Sequence, residues 1–472
     1  MPTRSAICRR RGCSRPSAAR SRRPAPPASP GYIPSRSRKR SSKKRERSPV
    51  KTLLFATLVF RGATVIDGTG APPRKNALLV VENGRIVSIG TATPAAVAAL
   101  PAGAEVRDAG GKWILPGLID AHVHAESDRD LETMLDWGVT SVRLMAEDVA
   151  AAERLASESR TRSDVPEVFP AAPIFTTKGG WWDQGEPADG HLDRFPPTPA
   201  AARASVRRAK ELGSSEIKLM LDDMSWCRDP KPRLPRMQPD VSKALIGEAR
   251  LLGLRAIVHA PGLADAKEAI AGGATALAHG VLDPIDGATL AVMKNRPVFY
   301  VPTMDIFEFL ADTRRFVDSV LSDPRAAAGV GAETVARYRA AAYSDGYRER
   351  YPNVESVRRS LPALRENLRR LEAAGVPVAL GTDMWAFPGL GVSIEMDLYV
   401  RAGLAPLQAI RSATQTAARS LGIERDRGSL EPGKRADLLV LSADPLADVK
   451  NVRAIDAVYR SGRRIERGAV GR

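Results

Sequence analysis

The chain has 472 residues, 43% of them hydrophobic and 26% charged, which is ordinary for a globular protein and leaves room for a barrel of about 250 residues plus accessory parts. The formal net charge is +17, yet residues 1–50 carry 16 of the 71 Lys and Arg and one of the 54 acids, so the remaining 422 positions hold only +2. Any polyanion affinity is thereby confined to the tail, no specific nucleic acid is expected, and three cysteines (Cys8, Cys13, Cys227) exclude a disulfide framework and favour a cytoplasmic setting over export.

Residues 1–50 are rich in Arg, Ser and Pro and almost free of apolar side chains. Such a segment cannot bury enough surface to offset its ordering entropy and reads as a disordered basic tail. A nucleic-acid-binding tail and a transit peptide are the competing readings. Folded sequence begins abruptly near residue 50, which we take as the start of the working protein. The apolar run 52–60 is nine residues long, well short of the roughly 20 needed to span a bilayer, so no membrane is expected. It leads into short strand-like runs at 63–66, 77–81 and 85–89, with turns at Asp67-Gly68 and Asn83-Gly84, predicting a small antiparallel β unit.

From Gly117 the pattern changes to alternating apolar runs and amphipathic stretches. Strands are predicted at 118–124, 139–145, 167–175, 215–221, 255–260, 275–279, 297–303 and 376–383. Helices are predicted between them, among others at 200–212, 241–252, 263–271 and 361–374, with 406–421 closing the set. Eight strand–helix repeats predict an α/β fold with a (β/α)8 TIM barrel. The text returns to β at 428–441 and 455–459. The two β ends are expected to pair, so the predicted organisation is a tail over 1–50, β-sandwich over 51–115 and 422–472, and barrel over 116–421.

Barrel chemistry sits at the C-terminal ends of the strands, so the residue ending each strand matters. The first ends in His122-Val-His124, where residues i and i+2 share a face and both imidazoles aim at one point. Two such imidazoles can share a metal ion, zinc being the commonest candidate. A chance pair of hydrogen-bonded histidines is the bland alternative. The fifth strand ends in His259, the sixth in His279 and the eighth in Asp383, so four of only five histidines fall at predicted strand ends. As a set they point to a metal site. Lys218 lies among apolar residues of the fourth strand, where an unpaired charge is costly. A salt bridge or a snorkelling side chain would account for it. Carboxylation by CO2 would instead give a carbamate bridging two ions, one held by His122, His124 and Asp383, the other by His259 and His279. Two divalent ions lower the pKa of a shared water and polarise a carbonyl.

These residues, with Pro-Gly-Leu-Ile-Asp before His122, Gly-Thr before Asp383 and the closing Gly-x-Leu-x-Pro-Gly-Lys-x-Ala-Asp, resemble the amidohydrolase superfamily over about residues 60–465. The lysine-containing version is similar to its prolidase-like and dipeptidase-like members. The resemblance implies metal-dependent hydrolysis of C–N bonds in a small molecule such as a dipeptide or N-acyl amino acid. It places the metal ligands on His122, His124, Lys218, His259, His279 and Asp383, and makes Asp383 the proton shuttle. The sequence departs from many relatives after His259, where Ala-Pro-Gly stands in place of an expected His-Gly.

Trp181 and Trp182 are candidate walls for an apolar or aromatic substrate group, or plain loop packing. His191 is either a substrate contact or a surface residue, and Arg228 or Arg233 could meet a substrate carboxylate. The excursion 304–360 reads as a lid or as a contact in a homo-oligomer. Two rival functions remain: a mononuclear imidazolonepropionase-type hydrolase or deaminase, separated by metal count, and a scaffold without catalysis.

Overall fold

The computed structural model describes residues 57–467 apart from 126, 184–191, 297, 341–344, 346–347 and 350. The expected basic tail therefore lies outside the described residues. Strands β1 (Leu58–Val65), β2 (Arg74–Glu82) and β3 (Arg85–Thr91) form an antiparallel meander. Its β2–β3 turn is Asn83-Gly84, with φ of 51° and 75°, the two consecutive left-handed residues that a tight two-residue hairpin needs. The unit is not purely antiparallel, contrary to the sequence expectation. The chain returns through a short helix, Pro94–Ala98, so β4 (Glu105–Asp108) and β5 (Trp113–Pro116) both run parallel to β1. A crossover of that kind is what parallel pairing requires.

β14 (Leu438–Leu441), β15 (Ile455–Arg460) and β16 (Arg463–Arg464) complete an eight-stranded sheet, order β16-β15-β14-β5-β1-β2-β3, with β4 on β1. β14 runs antiparallel to β5, Leu438 opposite Pro116, so the two ends of the chain meet here. One face packs Phe60, Leu79, Ile114, Leu438 and Tyr459, the rings of Phe60 and Tyr459 edge to face at 5.1 Å. Val59, Leu78 and Val80 on the other face are covered by Val97 and Leu100.

The remaining strands are parallel. β6 (Leu118–Val123), β7 (Val139–Met145) and β8 (Glu167–Ala171) form one sheet; β9 (Ile174–Phe175), β10 (Glu216–Met220), β11 (Arg255–His259), β12 (Ala276–Ala278) and β13 (Phe299–Val301) form a second. All residues of β6, β7 and β10 are buried, as expected for strands covered on both faces. Backbone bonds link the two sheets. Ala172 N–H donates to Glu216 O, and Lys218 N–H donates to Pro173 O, where the proline splits the predicted strand 167–175 into β8 and β9.

The predicted eighth strand is corrected: within 376–383 only Val378 bridges, to Tyr300. Its neighbours' hydrogen bonds explain why. Ala121 N–H donates to Leu380 O, but Leu380 N–H donates to Ser412 O and Thr382 N–H to the Asp120 carboxylate. Ser412 opens a π-helical turn, Ser412–Thr416, inside the predicted helix 406–421, and such a turn leaves carbonyls free to accept. The other predicted helices appear as Pro199–Glu211, Pro239–Leu251, Leu263–Gly272 and Val354–Ala373.

At the N-terminal ends of β10 and β11, the fully buried Arg143 donates from Nε to Glu216 Oε2 at 2.6 Å, and Arg255 reaches Glu216 Oε1. Lys218 lies one same-face position above Glu216. No described helix is long and apolar enough to cross a membrane.

Candidate metal centre

The site is assembled at the opposite, C-terminal ends of the strands. Asp120 fixes its frame: Oδ1 accepts the N–H groups of His122 and Thr382, each at 3.0 Å, and Oδ2 accepts the Thr382 hydroxyl at 2.7 Å. Burial outweighs these bonds and pushes the Asp120 carboxyl up to about 7. Asp383 N–H then donates to His122 O at 2.8 Å. Gly381 permits this close approach, since a Cβ there would lie 2.9 Å from both His122 Cβ and His122 N.

The Asp383 carboxylate lies 3.8 Å from His122 Nε2, 3.5 Å from His124 Nε2 and 3.9 Å from His279 Nδ1. The rings of His122 and His279 are 4.7 Å apart, and those of His279 and His259 4.4 Å. His122, His124 and Asp383 each offer a ligand atom within 4.8 Å of the others. His279, Thr303 and Asp383 all have left-handed backbones, φ 71°, 44° and 57°. Strain of that kind persists where surrounding structure over-determines it, and it clusters at functional sites.

Two neighbours select the ring nitrogens. His259 Nε2 is 3.2 Å from Asp222 Oδ2, and with that nitrogen donating, Nδ1 keeps its lone pair. His279 Nδ1 is 2.9 Å from the Thr303 hydroxyl, which leaves Nε2 as its free nitrogen. Burial lowers all four imidazoles, His124 to about 3, and the Lys218 ammonium lowers each of them further. Burial likewise brings the Lys218 amine down to about 7, against the opposing pull of Asp383.

Neutral imidazoles are the ligating form. Both ring nitrogens of His122, Nδ1 of His259 and Nζ of Lys218 are buried without a hydrogen-bond partner. Orphaned polar atoms are rare in folded proteins. Four such atoms on three strands, all nitrogens able to bind a divalent cation when neutral, fit a metal site.

Aromatic rings surround it. From His124 the contacts run to Trp182 (4.9 Å), Trp181 (6.1 Å), Tyr351 (5.9 Å), Trp226 (6.1 Å), Phe307 (5.7 Å) and back to His279 (6.3 Å). Trp182 Nε1 donates to Glu147, and Trp226 Nε1 donates to Asp222 Oδ2 at 2.7 Å, so both indoles are held from their polar edge. All three tryptophans remain partly exposed. Trp182 has φ 68°, an uncommon setting for a bulky residue.

The predicted residues are thus distributed as follows. His122, His124, Lys218, His259, His279 and Asp383 come together, with Trp181 and Trp182 beside them. Arg228 spends its Nε on Pro232 O at 2.7 Å within its own loop. Arg233 lies 3.7 Å from Asp223. His191 is outside the described residues. Sequence reasoning missed Asp120, Glu147, Asp222, Thr303, Phe307 and Tyr351. Asp222 and Thr303 had a usable signal, since each ends or directly follows a predicted strand.

Residues 113–465 match the amidohydrolase family. An ochratoxinase of Aspergillus niger is 25% identical over 88% of this chain and 88% of that protein. An imidazolonepropionase of Geobacillus kaustophilus is 27% identical over 78% and 84%. A solved Xaa-Pro dipeptidase with methionine in its active site superposes with a TM-score of 0.69 at 22% identity, covering 87% of this chain and all of that one. The last likeness establishes an α/β fold of TIM-barrel type.

Proposed function

We propose that this chain, which belongs to the amidohydrolase family and is a hydrolase of C–N bonds, cleaves an amide or peptide bond in a small molecule carrying an aromatic or apolar group beside that bond. The carrying observation is the convergence of six donor side chains, with orphaned atoms on His122, His259 and Lys218. The backbone bonds linking the two parallel sheets support a closed (β/α)8 ring beneath the site, and the sheet built from both chain ends supports a small β-sandwich beside it.

His122, His124 and Asp383 would hold one divalent ion, His259 and His279 a second, and Lys218 would bridge them. Zinc suits this His-rich set. Bound ions supply Lewis acidity and a water of lowered pKa. Lys218 contributes by its neutral amine, the form burial favours, which adds CO2 to give a carbamate and a proton and so changes from a cation into two oxygen donors. Asp383 takes the proton of the attacking water on a carboxylate oxygen and passes it to the leaving nitrogen. Its neighbours His122 and His124 remain neutral and do not compete for that proton. Trp181 and Trp182 wall the flanking group, Trp182 standing 4.9 Å from the His124 ring.

The tight grouping of His122, His124 and Asp383 favours one ion as a second reading. Metal per chain separates the two. The test of function is a panel of dipeptides, N-acyl amino acids and lactones on metal-loaded full-length protein. Turnover of amides that is lost on chelation is expected; hydrolysis of none of the amides overturns the reading.

A further inference from the structure

We propose that Glu395 is a positioning residue for His279, acting through Thr303. The inference rests on reading His279 as a metal ligand. Glu395 is 0% exposed and lies in the helix Leu390–Arg401, far in sequence from every ligand. Its two carboxylate oxygens accept the backbone N–H groups of Met304 and Asp305, each at 2.8 Å. These are the first two residues of the helix Met304–Ala311.

Thr303 occupies the cap position of that helix. A threonine there ordinarily turns its hydroxyl onto the first-turn N–H groups. Here it makes no such bond: its backbone is left-handed, φ 44°, and its hydroxyl meets His279 Nδ1 at 2.9 Å. The capping is supplied instead by Glu395 from another helix, whose two oxygens take the first-turn N–H groups that the cap residue leaves unbonded. The exchange frees the Thr303 hydroxyl to accept from His279 Nδ1. His279 Nε2 then keeps its lone pair for a cation. Thr303 is β-branched, and a β-branched residue at positive φ is a genuine outlier that needs an external restraint. The clamp on the next two residues is that restraint. Asp305 and Tyr399 also face the Glu395 carboxyl.

The experiment uses full-length zinc-loaded protein and reads metal per chain, zinc affinity by chelator competition, and folding by circular-dichroism melting. Glu395→Gln keeps the shape but offers one acceptor oxygen to two N–H groups. Thr303→Val removes the hydroxyl, and Thr303→Ser keeps it. Glu395→Gln and Thr303→Val are each expected to weaken one zinc equivalent by about 10- to 100-fold, the range for lost outer partners of a ligand. The double variant should be no worse than the poorer single one, and Thr303→Ser should bind like wild type. Wild-type zinc affinity in Glu395→Gln, or losses that multiply in the double variant, overturns the proposal. If Glu395→Gln does not fold, Glu395→Asp, one methylene short of the two N–H groups, must show the same deficit, and wild-type affinity there overturns it. A wild-type chain that binds no zinc, or whose zinc is unaffected by His279→Asn, overturns instead the metal reading beneath it.

Discussion

Asp383 and His122 are tied twice: the Asp383 N–H donates to the His122 carbonyl at 2.8 Å, and the Asp383 carboxylate stands 3.8 Å from His122 Nε2. The backbone bond does not depend on the carboxylate's charge. Asp383→Asn should therefore fold and melt like the parent while losing the proton-transfer group. Turnover is expected to fall by at least about 100-fold, the lower end for loss of a general acid–base residue. Steady-state kinetics beside a melting curve checks this, and undiminished kcat would remove Asp383 from the proton path.

Lys218 is buried with no partner for its amine, and burial of an unpaired amine is costly. Lys218→Met keeps the stem and discards that cost. The metal-free variant should melt above the metal-free parent, while its metal content drops from two ions per chain to one. Elemental analysis and calorimetry read both. A variant retaining two ions would show that the lysine does not bridge.

The indole of Trp182 is fixed by Glu147 and sits 4.9 Å from the His124 ring. Trp182→Ala should raise KM for substrates with an aromatic flanking group by about tenfold, the loss of about 1.4 kcal/mol from one aromatic contact. KM for short alkyl analogues should change less. Equal changes for both would assign Trp182 to loop packing.

Burial raises the Glu395 carboxyl from its ordinary 4.5 to about 8. A group raised on folding contributes stability that is present in full below 4.5 and lost as pH rises through 8. Glu395→Gln has no such group. The stability of metal-free wild type relative to metal-free Glu395→Gln should therefore fall between pH 5 and 8, by up to about 1.4 kcal/mol per pH unit. Denaturant unfolding at a series of pH values measures the difference, and parallel curves would contradict it.

Gly381 faces a Val301 methyl at 2.6 Å from where a Cβ would stand, besides the His122 backbone at 2.9 Å. Gly381→Ala should cost about 1–3 kcal/mol, as overpacking does, and should weaken metal binding by displacing His122. A variant with unchanged melting and unchanged metal content would show that the turn accommodates the methyl.

The amino-acid order alone carried the barrel-type alternation, the pairing of the two chain ends and the strand-end positions of His122, His124, His259, His279 and Asp383. These signals are local: period-two burial sets which side chains share a face, and a strand's end sets which of them reach the open rim. Neither Glu395 nor Tyr351 had any such mark, because a glutamate in a helix or a tyrosine in a loop looks the same whatever it meets. Glu395 lies 91 residues from Met304, and only chain packing made its carboxylate the cap of that helix. The eighth strand shows the same division. Its apolar run was visible in the sequence, but the N–H groups of Leu380 and Thr382 found Ser412 and Asp120, partners that exist only once the distant helix and β6 are in place.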